Sequence, residues 1–201
     1  MKKLAALLMI LCLLPLCALA EMDEDGDVVI TLEGAEFFFT PIVGYCLTRE
    51  SSASVFNRAG LSQREMWPWM EASDVYAFLL DEAGTMQIQV VAYETAEMDY
   101  DEMTAFGEVQ QCEGIVYRYT DQGYEVSSAE IYLAPEGHKF VRIAASYTEE
   151  DGRIVHMVEY FTCQAGWAVS VCLFPNEGEA TEEQLLACEC LADSLWITAT
   201  E

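Results

Sequence analysis

Acid–base or nucleophilic chemistry in this chain would draw on two histidines, a handful of cysteines and many carboxylates. A histidine changes charge near neutral pH, so His138 and His156 are the first candidates for a general base. Both fall inside segments patterned as strands, away from the loops where sites gather. A cysteine nucleophile with His156 as its base is formally available. The sequence contains no Gly-x-Ser-x-Gly elbow, no Cys-x-x-Cys, no His-x-x-x-His and no Gly-rich phosphate loop. Cys188-x-Cys190 lies on a patterned helix, where residues two apart diverge, so it makes neither a zinc site nor a disulfide. With 35 Asp and Glu residues, no pair stands out as a glycosidase-like acid and base.

Other residues point to binding or stapling. Trp67 and Trp69 flank Pro68 and are the candidate binding residues, either as a sugar or peptide platform or as a lid over the core. Of eight cysteines, Cys12 and Cys17 lie in the first twenty residues, leaving Cys46, Cys112, Cys163, Cys172, Cys188 and Cys190. In an exported protein that even number suggests disulfides, with the pairing open. Cys163 and Cys172 are one pair that geometry rejects: across a two-residue turn they share a sheet face but lie roughly 13 Å apart along it. Asp23-x-Asp25-Gly-Asp27 hints at a calcium loop. It fails the EF-hand pattern, because Gly26 comes too early and Gly34 stands where the bidentate Glu belongs. No metal or cofactor is expected beyond the calcium that these acidic segments would attract.

The opening residues read as an address. Lys2 and Lys3 precede an apolar run from Leu4 to Leu16, and Ala18-Leu-Ala20 fits a signal-peptidase site. Residues 1–20 are therefore expected to be a signal peptide, 21–27 an acidic mobile lead-in, and 28–201 one α+β domain. Leu16, directly before Cys17, is too bulky for an acylation motif. The mature chain would be secreted or held at the cell surface, with no membrane insertion after cleavage near Ala20. Removing 20 of 201 residues leaves 181, and the formal charge moves from −26 to −28 as Lys2 and Lys3 depart. Such acidity excludes nucleic acid as a partner. A composition 53% hydrophobic and 11% aromatic excludes disorder and supplies a core.

Short strands are expected at Val28 to Leu32, Glu36 to Thr40 and Gly44 to Thr48, then a helical turn from Ser54 to Ala59. Ser62-Gln-Arg-Glu65 reads as a capping box opening a helix that Pro68 should kink. Asp74 to Leu80 and Met86 to Tyr93 form a hairpin. Glu94 to Glu108 is helix-prone with Gly107 as its stop, and Gln110 to Tyr119 is ambiguous. From Tyr124 four strands follow through short loops, an antiparallel meander: Tyr124 to Leu133, His138 to Tyr147, Ile154 to Cys163 and Trp167 to Phe174. With Ala165-Gly166 as a two-residue turn, His156 and Glu159 fall on opposite sheet faces. Thr181 and Gln184 cap a closing helix, whose stripe of Leu185, Cys188, Leu191, Ala192 and Leu195 should pack on Val169, Val171 and Leu173.

Pro41-x-x-Gly44-Tyr45, the Gly60-Leu-Ser62 helix entry and the ending Ala192-Asp-Ser-Leu-Trp196, in this order of elements, resemble the PsbP-like fold. The likeness is to its small exported bacterial members. It implies an α-β-α sandwich, an antiparallel meander covered by helices, and binding or accessory work with no catalytic set to carry over. The six cysteines and the acidity depart from that family's usual character. The expected function is an exported acidic binding or accessory module for a protein or small ligand, at the cell surface or in the medium. The alternative is a secreted hydrolase with a carboxylate site that the sequence does not reveal.

Overall fold

Alternating apolar residues in successive hairpins build the largest part of the structure, a computed structural model that describes residues 27–42 and 44–200. The expected signal peptide, and all of the acidic lead-in but Asp27, lie outside the described residues. The elements are β1 (Val28–Leu32), β2 (Ala35–Phe39), β3 (Tyr45–Thr48), α1 (Ala53–Arg58), α2 (Gln63–Ala72), β4 (Val75–Leu80) and β5 (Met86–Glu94). After a 3-10 turn (Tyr100–Glu102) come α3 (Ala105–Asp121), β6 (Glu125–Leu133), β7 (Lys139–Thr148), β8 (Ile154–Gln164), β9 (Trp167–Pro175), α4 (Glu182–Ser194) and β10 (Trp196–Ala199).

Two sheets form. The larger has the order β3-β4-β5-β9-β8-β7-β6, and every neighbouring pair is antiparallel. The meander from β6 to β9 is present as the alternation implied, and the pairing of β5 with β9 joins it to the earlier hairpin. The turn register is also as expected: Glu159 lies opposite Cys172 and Cys163 opposite Ala168. The smaller sheet, β1-β2-β10, includes a strand that the sequence pattern does not announce. Trp196–Ala199 follows the helix at once, and its partner β2 is 162 positions away, beyond the reach of any local pattern.

The larger sheet has two covered faces. On one, Val158, Tyr160, Val169, Val171 and Leu173 pack with Cys188, Leu191 and Ala192 of α4, with its C-cap Leu195, and with Phe37 and Phe39 of the small sheet. This is the main core, and the closing stripe sits where its spacing placed it. Thr181 and Gln184 form the expected capping box. On the other face, α1 and α2 cover the β3–β4 end through Phe56, Met70 and Phe78. The β6–β8 end is covered by α3 and the 3-10 turn through Ile115, Tyr100, Ile143 and Phe161. The architecture is α+β, an antiparallel sheet between helices.

Several local expectations are corrected. Glu94 to Glu108 is not a helix; β5 ends at Glu94 and the helix starts at Ala105. Gly107 is not a stop but sits in the first turn, where its N–H donates to the Thr104 cap at 3.3 Å. The ambiguous Gln110 to Tyr119 is the body of α3. Ser62 makes no side-chain cap, and α2 runs through Pro68. Arg64 and Pro68 both face solvent, so water can serve the carbonyl that the proline leaves unpaired.

The disulfide expectation is corrected too: among the described residues no two cysteines are bonded. The sheet sorts them onto two faces. Cys46 and Cys188 pack with the main core, whereas Cys112 and Cys163 pack on the opposite face, which Cys172 shares through its register with Glu159. Cys190 is exposed on α4.

Candidate functional site

Burial picks out the site before any motif does. Strands β8 and β9 are covered on both faces, so a polar residue in their middle is informative. Glu159 is only 5% exposed, and Ser170 is buried with it. Register puts Glu159 opposite Cys172 and Phe161 opposite Ser170, on the face that α3 covers. β5 and β9 run between the two helical covers, and a cleft of about 270 Å³ opens there along α3. Its floor is Val91, Glu159, Phe161, Ser170 and Cys172; Ile115, Arg118, Tyr119 and Gln122 form the helical wall.

The wall is fixed by how α3 ends. Gly123, at φ +91°, follows the C-cap Gln122; its N–H reaches the Thr120 carbonyl, and that of Tyr124 the Tyr119 carbonyl. This is a Schellman ending, which needs a residue tolerant of left-handed φ. It folds Tyr124 back against Tyr119, with ring centroids 5.1 Å apart in edge-to-face contact. Tyr93, on β5, stands at the rim, 43% exposed.

Both carboxylate oxygens of Glu159 accept hydrogen bonds from neutral hydroxyls. Ser170 Oγ donates to Oε1 at 2.5 Å, and Tyr119 Oη donates to Oε2. Burial raises the Tyr119 phenol above its ordinary value, and the Glu159 charge adds to this. The Cys172 thiol is pushed well up by the same two causes in the same order. Burial, and then Glu97, pushes the Cys163 thiol up to about 12. Thiols held protonated in this way are poor nucleophiles at neutral pH. His156 lies on the other face from both, beside Val158, so the Cys–His pairing is not assembled.

The remaining candidates are placed elsewhere. Trp67 donates its indole N–H to the Arg49 carbonyl at 2.6 Å, and Trp69 packs edge-on against Phe78 at 5.7 Å. Two positions apart on α2, their side chains leave the helix about 200° apart, so the rings do not face one way. His138 precedes β7 instead of lying in it. Its Nδ1 is 2.7 Å from Asp101 Oδ2, Gln164 Nε2 donates to the same oxygen at 3.1 Å, and Trp196 packs edge-on at 4.5 Å. Together with Lys139 N–H donating to Asp101 Oδ1 at 2.8 Å, this cluster anchors the 3-10 turn to the sheet. His156 lines a second cavity of about 400 Å³ with Arg142, Ser146 and Glu179. Among the described residues no group of three or more His, Cys, Asp or Glu is placed to hold a metal, and no helix is long and apolar enough to cross a membrane.

Sequence reasoning reaches Glu159 only to separate it from His156, and it passes over Tyr93, Tyr119, Tyr124 and Ser170. A signal is present all the same: an acid within Val158-Glu-Tyr-Phe161 and a serine within Val169-Ser-Val171 interrupt runs of apolar residues. The turn register alone puts them on one face.

No family model matches this chain, and no curated protein matches it in sequence. Among solved structures it is similar in layout to the solution structure of cyanobacterial PsbP (CyanoP) from Synechocystis sp. PCC 6803. That similarity covers 86% of this chain and 91% of the other, at 13% identity and a TM-score of 0.46. It carries no residue, ligand or partner with it.

Proposed function

We propose that this chain is an exported binding module whose ligand site is the cleft along α3. The observation that carries the proposal is the cleft itself: about 270 Å³, lined by tyrosines, with a buried carboxylate on its floor held by two hydroxyls. Concave, largely apolar sites with a few convergent polar groups are what small ligands occupy. The hydrolase alternative lacks its parts here. Carboxylate-driven glycoside cleavage uses a pair flanking the bond, and the lining supplies Glu159 alone.

Two measurements test the reading. The intact mass of protein recovered from outside the cytoplasm should correspond to a chain beginning at Glu21; a full-length mass would remove the export part. A fragment library screened by protein-observed NMR against residues 21–201 should shift amides of Tyr93, Tyr119, Tyr124, Glu159 and Ser170 together. Hits clustered elsewhere, or no hits, would remove the cleft as the ligand site.

A further inference from the structure

We propose that the ligand of this cleft is a small organic cation, an ammonium group seated among aromatic rings above Glu159; the inference rests on the binding reading above. Tyr93, Tyr119, Tyr124 and Phe161 all line the cleft. The faces of such rings carry negative potential and hold quaternary and alkylated ammonium groups in cage-like sites. Glu159 adds a full charge at the floor. Its hydrogen-bond partners are hydroxyls, so neither offsets that charge, and a carboxylate has acceptor positions beyond the two they fill. A buried carboxylate is costly unless something of opposite sign approaches it, and an incoming cation meets that need.

The opposing charge in the lining is Arg118. Its guanidinium is at the rim, 47% exposed, and pairs with Glu97 at 3.4 Å, outside the cleft. A metal ion fits less well. Calcium wants six to eight oxygen ligands, whereas Glu159 is the one carboxylate in this lining and most of the rest is rings and aliphatic side chains. The chain's formal charge of −26 raises the concentration of cations around the molecule as a whole, which favours capture but not selectivity. Selectivity falls to the rings and Glu159.

The test uses residues 21–201 at physiological salt and two probes of one shape: choline, and its neutral isostere 3,3-dimethylbutan-1-ol. Choline should bind saturably, moving the Glu159 and Ser170 amides, and the isostere should bind about tenfold more weakly. Glu159→Gln keeps the shape of the floor and should lower choline affinity about tenfold while leaving the isostere unchanged. Should that variant fail to fold, Tyr93→Leu at the exposed rim reads the same interaction, weakening choline more than the isostere. Equal affinity of the two probes at the cleft would overturn the cationic class and leave the cleft as a binding site. Choline shifts confined to surface carboxylates, or no binding of choline, would also overturn it. In that case the fragment screen judges the cleft separately.

Discussion

Glu159 is the residue at which stability and the proposed binding meet. A carboxylate 5% exposed keeps its place because Ser170 and Tyr119 each give it a hydrogen bond. Removing one donor leaves a charged acceptor short of a partner, so Ser170→Ala should destabilise the fold by about 1–3 kcal/mol in urea denaturation. A loss under a few tenths would mean that water already serves that oxygen. The thiols and phenols near the site carry a pH signature. Burial, then the charge of Glu97, lifts Cys163 from 9.0 to about 12. Burial first, then neighbouring charge, also lifts Tyr119 and Tyr100 above 10.0. The folded chain therefore keeps these protons when the unfolded chain has lost them. Their contribution is complete below about pH 9 and is lost as pH rises towards 12. Urea midpoints should fall steadily from pH 9 upward, and a flat profile would contradict the burial of these groups. Of this site the sequence discloses the floor, an acid and a serine inside apolar strands. It hides the wall, because nothing local says that Tyr119 and Tyr124 will meet above Glu159.

Among the elements, the β8–β9 hairpin is read most directly from sequence and is also the one with a visible flaw. Its two-residue turn places both Ala165 and Gly166 at positive φ, +51° and +79°. A type I′ turn, whose twist matches that of the flanking strands, demands this of both turn positions, and alanine meets it at a cost of roughly 1–2 kcal/mol. Ala165→Asn should therefore raise stability by about 1 kcal/mol, visible as a higher urea midpoint with an unchanged slope. A lower midpoint would mean that the partly buried Ala165 methyl, packed against the main core, matters more than the turn. Strands joined by short turns, and a helix with a reciprocal cap, announce themselves because their determinants lie within a few residues. By contrast, α3 is misplaced by its sequence pattern because a glycine near a helix start looks like one near a helix end. Thr104, three residues earlier, decides between the two. β10 escapes sequence reasoning because its partner is on the far side of the chain.

Across the whole molecule, charge dominates everything outside the core. A formal −26 repels itself, and the compact state feels that repulsion more than the extended chain does. Raising sodium chloride from about 10 mM to about 150 mM shortens the screening length from roughly 30 Å to roughly 8 Å and should raise the melting midpoint. An arm with calcium chloride at matched ionic strength separates screening from a bound ion. Equal midpoints in the two arms would leave the acidic segments without a calcium site. The small sheet sets a different constraint, one of timing. β2 is flanked by β1, made just before it, and by β10, whose Thr198 hydroxyl reaches the Glu36 carbonyl across 162 positions of sequence. A ribosome makes β2 long before β10, so in the nascent chain that strand has one edge satisfied and one open. The order of synthesis therefore runs against the order of closure. Phe37, Phe39 and the rest of this layer of the main core cannot finish packing until nearly all of the described chain has been made. In a chain built in this way the small-sheet layer of the core is the last to close.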